Sequence, residues 1–218
     1  MSRGPAHGRR PSLRGMGDGI EDLAAGVAVR FSSLCLDADG RLRDFAIWDT
    51  GVRGALLVDL AFAGRLTQTE DSVTVDEQPT GFAPADRLLA AIAVEPERDL
   101  DWWLDHGGVG MPDLADANVA AGRWSVGRRL LGRRYAETDP ATAARDRTLH
   151  PRRPKPDWTP ETAAVMAIGL ATGAVEPPPE PPDEALLALT GPVRWICEAV
   201  VDHLTWAHVR NRTLRATD

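Results

Sequence analysis

The stretch from Trp48 to Leu66 constrains the fold more than any other part of this 218-residue chain. Thr50 or Asp49 is suited to cap the start of a helix here, and Gly64 is suited to end it in the left-handed conformation. A helix whose apolar surface runs most of the way round is buried in a core rather than laid on a surface. The apolar residues that recur at helical spacing are Val52, Leu56, Leu57, Val58, Leu60, Phe62 and Ala63.

Trp48 and Arg53 stand near the start of this helix, where backbone N–H groups have no partner within the helix. Such N–H groups and a nearby guanidinium together form a geometry that binds anions. In the alternative interpretation, Trp48 is a core residue and Arg53 is a solvated charge. The residues alone therefore give Trp48 and Arg53 as a candidate anion site with a structural alternative.

Residues 51–66, GVRGALLVDLAFAGRL, resemble the signature of the Golgi phosphoprotein 3 family. Residues 34–42, LCLDADGRL, resemble the hairpin that opens that domain. The later segments LDWWL (100–104) and AGRW (121–124) follow in the expected order. The resemblance covers residues 20–218 and implies one domain of ordinary size.

The resemblance implies a function at membranes. Eukaryotic members of the family are peripheral membrane proteins that recognise phosphatidylinositol 4-phosphate and act as adaptors for Golgi enzymes. Their headgroup pocket uses a tryptophan and an arginine that correspond to Trp48 and Arg53, and two further arginines one helical turn apart on a later helix. Counted back from Gly122, those two positions fall near Gly108 and Met111, so this chain lacks the second half of the pocket.

Helical periodicities between Pro- and Gly-rich turns predict a mainly α fold, a single helical-bundle domain with small β-hairpins at its margin. One hairpin is predicted over Val29–Leu42, turning on residues 37–40, and another over Leu66–Val75. The composition, with 43% hydrophobic and 26% charged residues, is that of a globular protein. The Arg-, Gly- and Pro-rich segment 1–19 is expected to be a disordered tail before the domain at 20–218.

The expected location is the cytoplasm, with peripheral association with the membrane. No apolar run approaches the roughly 20 residues of a membrane span. Arg9 and Arg10 are followed by no apolar region, so an export signal is not predicted. Cys35 and Cys197 are far apart and flanked by apolar residues, which predicts buried thiols in a reducing compartment.

The segment from Arg123 to Lys155 carries ten basic and three acidic residues, a net +7 in a chain of formal charge −7. A basic face on an acidic protein indicates an anionic partner, which is a lipid surface, a nucleic acid or an acidic protein segment. Nucleic acid is not the predicted partner, because the segment lacks interleaved aromatic residues. Four arginines and two leucines occupy its centre: Arg128, Arg129, Leu130, Leu131, Arg133 and Arg134.

These six residues predict a hairpin that contacts the membrane, with residues 130–132 at its tip. Each leucine that leaves water contributes about 1.5–3 kcal/mol, and a cation near an anionic leaflet contributes about 1 kcal/mol. In the alternative, the leucines pack on the body of the protein and the arginines are solvated. A rival function of another class is a protein-interaction adaptor whose basic hairpin binds acidic protein segments or self-associates.

No catalytic, cofactor or metal site is predicted. Residues 37–40, DADG, begin like a calcium loop but lack the distal glutamate at the required spacing. His203 and His208 are five residues apart on a predicted helix and leave it on different faces. Gly motifs that cradle phosphate and nucleophile elbows are absent from the sequence. The sequence therefore predicts a protein without enzymatic activity that binds anionic phosphorylated lipid.

Overall fold

The computed structural model describes residues 23–42, 46–69, 73–129, 132–176 and 178–215. These residues form a mainly α fold with two small antiparallel hairpins, as predicted. The segment 1–19 that was expected to be disordered lies outside them. The helices are α1 (Val27–Leu34), α2 (Ala46–Phe62), α3 (Ala83–Val94), α4 (Leu100–His106), α5 (Met111–Ala120), α6 (Ala141–Arg147), α7 (Pro160–Thr172), α8 (Glu184–Ala188) and α9 (Arg194–Arg215). The strands are β1 (Leu66–Gln68), β2 (Val73–Val75), β3 (Trp124–Arg129) and β4 (Gly132–Glu137).

Helix α2 is the centre of the bundle and packs against α1, α3, α4, α7 and α9. Leu56, Leu57 and Leu60 are fully buried on it, which confirms the predicted core helix. Gly64 follows the helix with φ of 69°, and the N–H of Arg65 donates to the carbonyl of Leu60 at 2.8 Å. The predicted left-handed ending of this helix is therefore confirmed.

The predicted cap of α2 at Asp49 or Thr50 is wrong. The helix begins at Ala46, so both residues lie inside its first turns. The hydroxyl of Thr50 instead lies 3.5 Å from the carbonyl oxygen of Ala46. Asp49 does not cap its own helix, because its carboxylate accepts a backbone N–H of another helix, α5.

The hairpin predicted over Val29–Leu42 is also wrong, because residues 27–34 form helix α1. Of the predicted pairing, the single antiparallel bridge Leu36–Leu42 remains among the described residues. The turn itself is in the predicted place, with Gly40 at φ of 71°. Every residue of α1 except Arg30 is buried, and a helix buried on nearly all sides has no polar face to reveal its period.

A residue of α2 caps the start of α1. The Asp59 carboxylate is fully buried and accepts the N–H of Val27 at 2.7 Å and the N–H of Ala28 at 2.9 Å. A Cβ at Gly26 would lie 2.5 Å from Asp59 Oδ1. Glycine at position 26 therefore admits the carboxylate that replaces a local cap.

Cys35 and Cys197 are buried free thiols, as predicted. Burial raises the pKa of the Cys197 thiol to about 12 and the pKa of Cys35 well above its ordinary value. Both groups therefore stay protonated and unreactive at neutral pH.

Candidate functional site

Arg53 is held by the last turn of α4 and by the loop that follows it. Its Nε donates to the carbonyl of Leu104, its Nη1 to the carbonyl of Val109 at 3.0 Å, and its Nη2 to Thr50 Oγ1 at 3.1 Å. Burial lowers the pKa of Arg53, while the charge of Asp49 opposes that shift. Since a guanidinium has five N–H donors, these described partners leave two of them for an acceptor outside the fold.

Trp48 is half-buried and packs against the core one turn before Arg53. Five residues on an α-helix separate two side chains by about 140° around the axis. Trp48 and Arg53 therefore leave α2 on different faces. Both predicted residues lie in the first half of α2, with Arg53 bound to α4 and the loop after it and Trp48 packed on the core.

An internal carboxylate stands beside Arg53 at the start of α5. Asp49 Oδ1 accepts the N–H of Met111, the first residue of α5, at 2.7 Å. A Cβ at Gly110 would lie 2.5 Å from the same oxygen, so glycine admits this carboxylate just as Gly26 admits Asp59. The positions matched to the missing family arginines are the exposed Gly108 and the buried Met111. The site thus combines a guanidinium with a carboxylate.

The basic hairpin forms as predicted, with strands β3 and β4 on either side of residues 130 and 131. Its base packs in a small separate core of Ala115, Trp124 and Tyr135. Leu130 and Leu131 lie outside the described residues, as do the side chains of Arg128 and Arg129. The predicted insertion of the two leucines therefore stays a prediction.

Two arginine positions are directly opposed in the register of the hairpin. The register pairs Arg128 directly with Arg133 and Gly127 with Arg134, and like charges in directly opposed positions destabilise a β-ladder. Arg133 Nη1 lies 3.0 Å from Asp116 Oδ1 in an exposed ion pair. Arg134 Nη1 is buried and has no hydrogen-bond partner among the described residues. The hairpin therefore concentrates positive charge that the described fold compensates only in part.

Basic residues that follow the hairpin are paired more completely. Arg147 Nη1 lies 3.5 Å from Glu137 Oε2. Arg152 lies between two carboxylates, with Nε 2.7 Å from Glu176 Oε2 and Nη2 2.6 Å from Glu180 Oε2. Glu137 is already included in the net charge of residues 123–155, so only the pairing of Arg152 with Glu176 and Glu180 neutralises part of it.

Sequence reasoning missed the contacts of His203 between α4 and α9. The buried imidazole places Nδ1 3.0 Å from Asp101 Oδ1 and Nε2 3.1 Å from Asp105 Oδ1. Asp101 and Asp105 are one helical turn apart, so the sequence places both carboxylates on one face of α4. It does not indicate that a histidine about a hundred residues later contacts both of them.

Within the described ranges, no group of three or more His, Cys, Asp or Glu residues is arranged to hold a metal ion. Among the helices of those ranges, none combines the length and apolarity that crossing a bilayer requires.

The sequence profile of the family described as Golgi phosphoprotein 3 (GPP34) matches residues 34–215, which is most of the chain. No curated protein and no solved structure matches the chain significantly.

Proposed function

The chain belongs to the Golgi phosphoprotein 3 family, and on that premise we propose that it is a peripheral membrane protein that binds anionic phosphorylated lipid headgroups. The lipid we propose is phosphatidylinositol 4-phosphate or one of similar charge. The proposed location is the cytoplasm, at the surface of a membrane. The protein has no enzymatic activity in this proposal.

The observation that carries the proposal is the direct cross-strand pairing of Arg128 with Arg133. Such a pair costs the isolated hairpin free energy, and an anionic surface laid against it offsets that cost. Electrostatic attraction alone is weak, because four cations near an anionic leaflet give about 4 kcal/mol, which corresponds to roughly millimolar binding. Burial of Leu130 and Leu131 in the lipid interface adds about 3–6 kcal/mol and makes attachment stable.

Arg53 and Asp49 supply the proposed contact with the headgroup. An inositol phosphate carries both phosphate oxygens and hydroxyl groups. The two remaining N–H donors of Arg53 suit a phosphate, and the Asp49 carboxylate suits a neighbouring hydroxyl. Trp48 leaves α2 about 140° around the axis from Arg53, and in this proposal the exposed part of its ring contacts the lipid beside the site and not within it. The headgroup contact is expected to select among lipids, while the hairpin supplies most of the attachment.

Vesicle co-sedimentation tests the proposal with vesicles of neutral phosphatidylcholine, with and without phosphatidylinositol 4-phosphate or phosphatidylserine. In one variant, the four hairpin arginines become glutamine. In a matched control with the same charge change, four exposed residues elsewhere become glutamine: Arg98, Arg152, Arg153 and Lys155. The hairpin variant is expected to lose most anionic-vesicle binding, and the control is expected to keep it.

A second variant, Leu130→Asp with Leu131→Asp, tests the apolar contact. It is expected to abolish stable attachment even at low salt, because the remaining electrostatic attraction is weak and screened over about 8 Å at physiological ionic strength. Wild-type protein that ignores anionic vesicles would overturn the proposal. If such protein instead bound acidic polyglutamate through the hairpin arginines, or self-associated through them, the adaptor function would replace it.

A further inference from the structure

The first described residues of the chain lie against the base of the basic hairpin. Leu23 is buried and lines a cavity of about 260 Å³ together with Arg123, the residue before β3. Ala25 lines a second cavity, of about 340 Å³, together with Trp124, the first residue of β3. The point where residues 1–22 join the fold is therefore the base of the hairpin.

The segment that precedes this point is basic. Residues 1–17, which we call the basic arm, contain four arginines and no acidic residue. The hairpin beside it carries four more arginines over residues 128–134. Like charge concentrated in one region of a protein attracts an extended anionic surface. The arginines of the arm are Arg3, Arg9, Arg10 and Arg14.

The basic arm is long enough to reach the surface that the hairpin contacts. Strand β3 has six residues, which rise about 20 Å in an antiparallel pair. Arg14 is nine residues before Leu23, and nine residues span at most about 30 Å. Arg14 can therefore reach the level of the hairpin tip, and the three arginines that precede it have a longer reach.

Two carboxylates beside the hairpin already have cationic partners. Asp116 Oδ1 on α5 lies 3.0 Å from Arg133 Nη1. Glu137 Oε2 at the end of β4 lies 3.5 Å from Arg147 Nη1. The charges of these two groups are therefore balanced by other arginines of the fold, and the arm is not needed to neutralise them.

We propose that the basic arm is a second electrostatic element of the membrane contact and binds the same anionic lipid surface as the hairpin. This inference rests on the membrane attachment proposed above and assigns a further segment to it. Each arginine near an anionic leaflet contributes about fivefold in affinity. Once the hairpin is attached, binding of the arm is intramolecular, so the position at which the arm joins the fold contributes as well as its charge.

Vesicle co-sedimentation of the full chain tests the inference, with phosphatidylcholine vesicles that contain phosphatidylserine. In the arm variant, the four arginines of the basic arm become glutamine. The matched control has the same charge change at four exposed residues elsewhere, which become glutamine: Arg98, Arg152, Arg153 and Lys155.

A relocated variant tests the position of the arm at unchanged composition. In it, residues 2–17 follow Asp218 instead of Met1. The relocated segment then continues from α9, which packs on α2, α4 and α7, whereas the base of the hairpin packs on α5. The arm arginines are all present in this variant, but they no longer start from the hairpin base.

The arm variant is expected to bind these vesicles about 25- to 600-fold more weakly than wild type, the loss of two to four arginine contacts. Its remaining binding is expected to depend less on salt, because fewer charges are screened. The control is expected to bind like wild type, and the relocated variant is expected to bind like the arm variant.

Four results would overturn the inference. Wild-type affinity of the arm variant, with binding lost when the hairpin arginines become glutamine, would remove the arm from the contact and leave the proposed function standing. An equal loss in the control would mean that net charge alone sets the affinity. Wild-type affinity of the relocated variant would remove the role of the hairpin base. Wild-type protein that ignores the vesicles would overturn the proposed function as well. Circular dichroism of each variant distinguishes these results from misfolding.

Discussion

Asp59→Asn is the substitution that tests how the core of this protein is assembled. Asp59 lies in the central helix α2, fully buried, and its two oxygens accept the first two N–H groups of α1. Asparagine has nearly the same size, but only its oxygen can accept, so one N–H of α1 loses its partner. A buried donor without a partner costs about 1–3 kcal/mol, which is the expected loss in the free energy of unfolding.

The loss is expected to depend on pH. Burial raises the pKa of Asp59 to about 7 from 3.8, against the hydrogen bonds from Ala28 and Val27, which lower it. The folded protein therefore keeps this proton at pH values where the unfolded chain has released it. The resulting stabilisation is complete below about pH 4 and is lost as the pH rises to about 7. At about 1.4 kcal/mol for each pKa unit, it amounts to about 4 kcal/mol.

Urea unfolding followed by tryptophan fluorescence, at several values between about pH 5 and pH 8, measures this effect. The difference between wild type and Asp59→Asn isolates one carboxyl group, because the other groups titrate in both proteins. We expect wild type to be the more stable protein at the acidic end of this range. We expect the difference to shrink as the pH rises and to change sign towards pH 7, because the pH-dependent contribution of about 4 kcal/mol exceeds the roughly 1–3 kcal/mol of the lost hydrogen bond. Asp157→Asn, the same substitution at an exposed position, is the matched control. A difference that stays constant or grows with pH would refute the reasoning, because the amide hydrogen bonds would then outweigh burial.

Two further predictions concern the α4 region. Arg53→Ala is expected to lower the free energy of unfolding by about 1.5–3 kcal/mol, measured by urea unfolding, because the carbonyls of Leu104 and Val109 lose a charged donor. A variant as stable as wild type would mean that this loop needs no anchor. His203→Gln is expected to cost about 1–3 kcal/mol and to speed hydrogen exchange along α4, since its single amide nitrogen cannot replace both ring nitrogens, which lie near Asp101 and Asp105. Unchanged exchange in α4 would contradict the role of the imidazole.

Several parts of the fold could be predicted from the sequence because their determinants are local. The apolar stripe around Leu56 and Leu60 required a buried helix, and Gly64 supplied the conformation that ends it. The hairpin from Trp124 to Glu137 follows from alternation and turn residues over a dozen positions. The family signature lies in the same continuous stretch as the core helix. Each of these features depends on residues that are neighbours along the chain.

The tertiary structure alone decided which distant residues supply the hydrogen-bond partners of buried polar groups. Residues 27–34 become a helix instead of a strand partly because Asp59, about thirty residues later, accepts their first N–H groups. The need for glycine at position 110 cannot be predicted from its own segment, because it arises from the Asp49 carboxylate, which lies where a Cβ would be. The predicted anion site likewise depends on Arg53, whose carbonyl partners come from α4 and from the loop after it. A buried polar group needs a hydrogen-bond partner, and that partner is often distant in sequence. The periodicity of the sequence therefore cannot predict which residue it is.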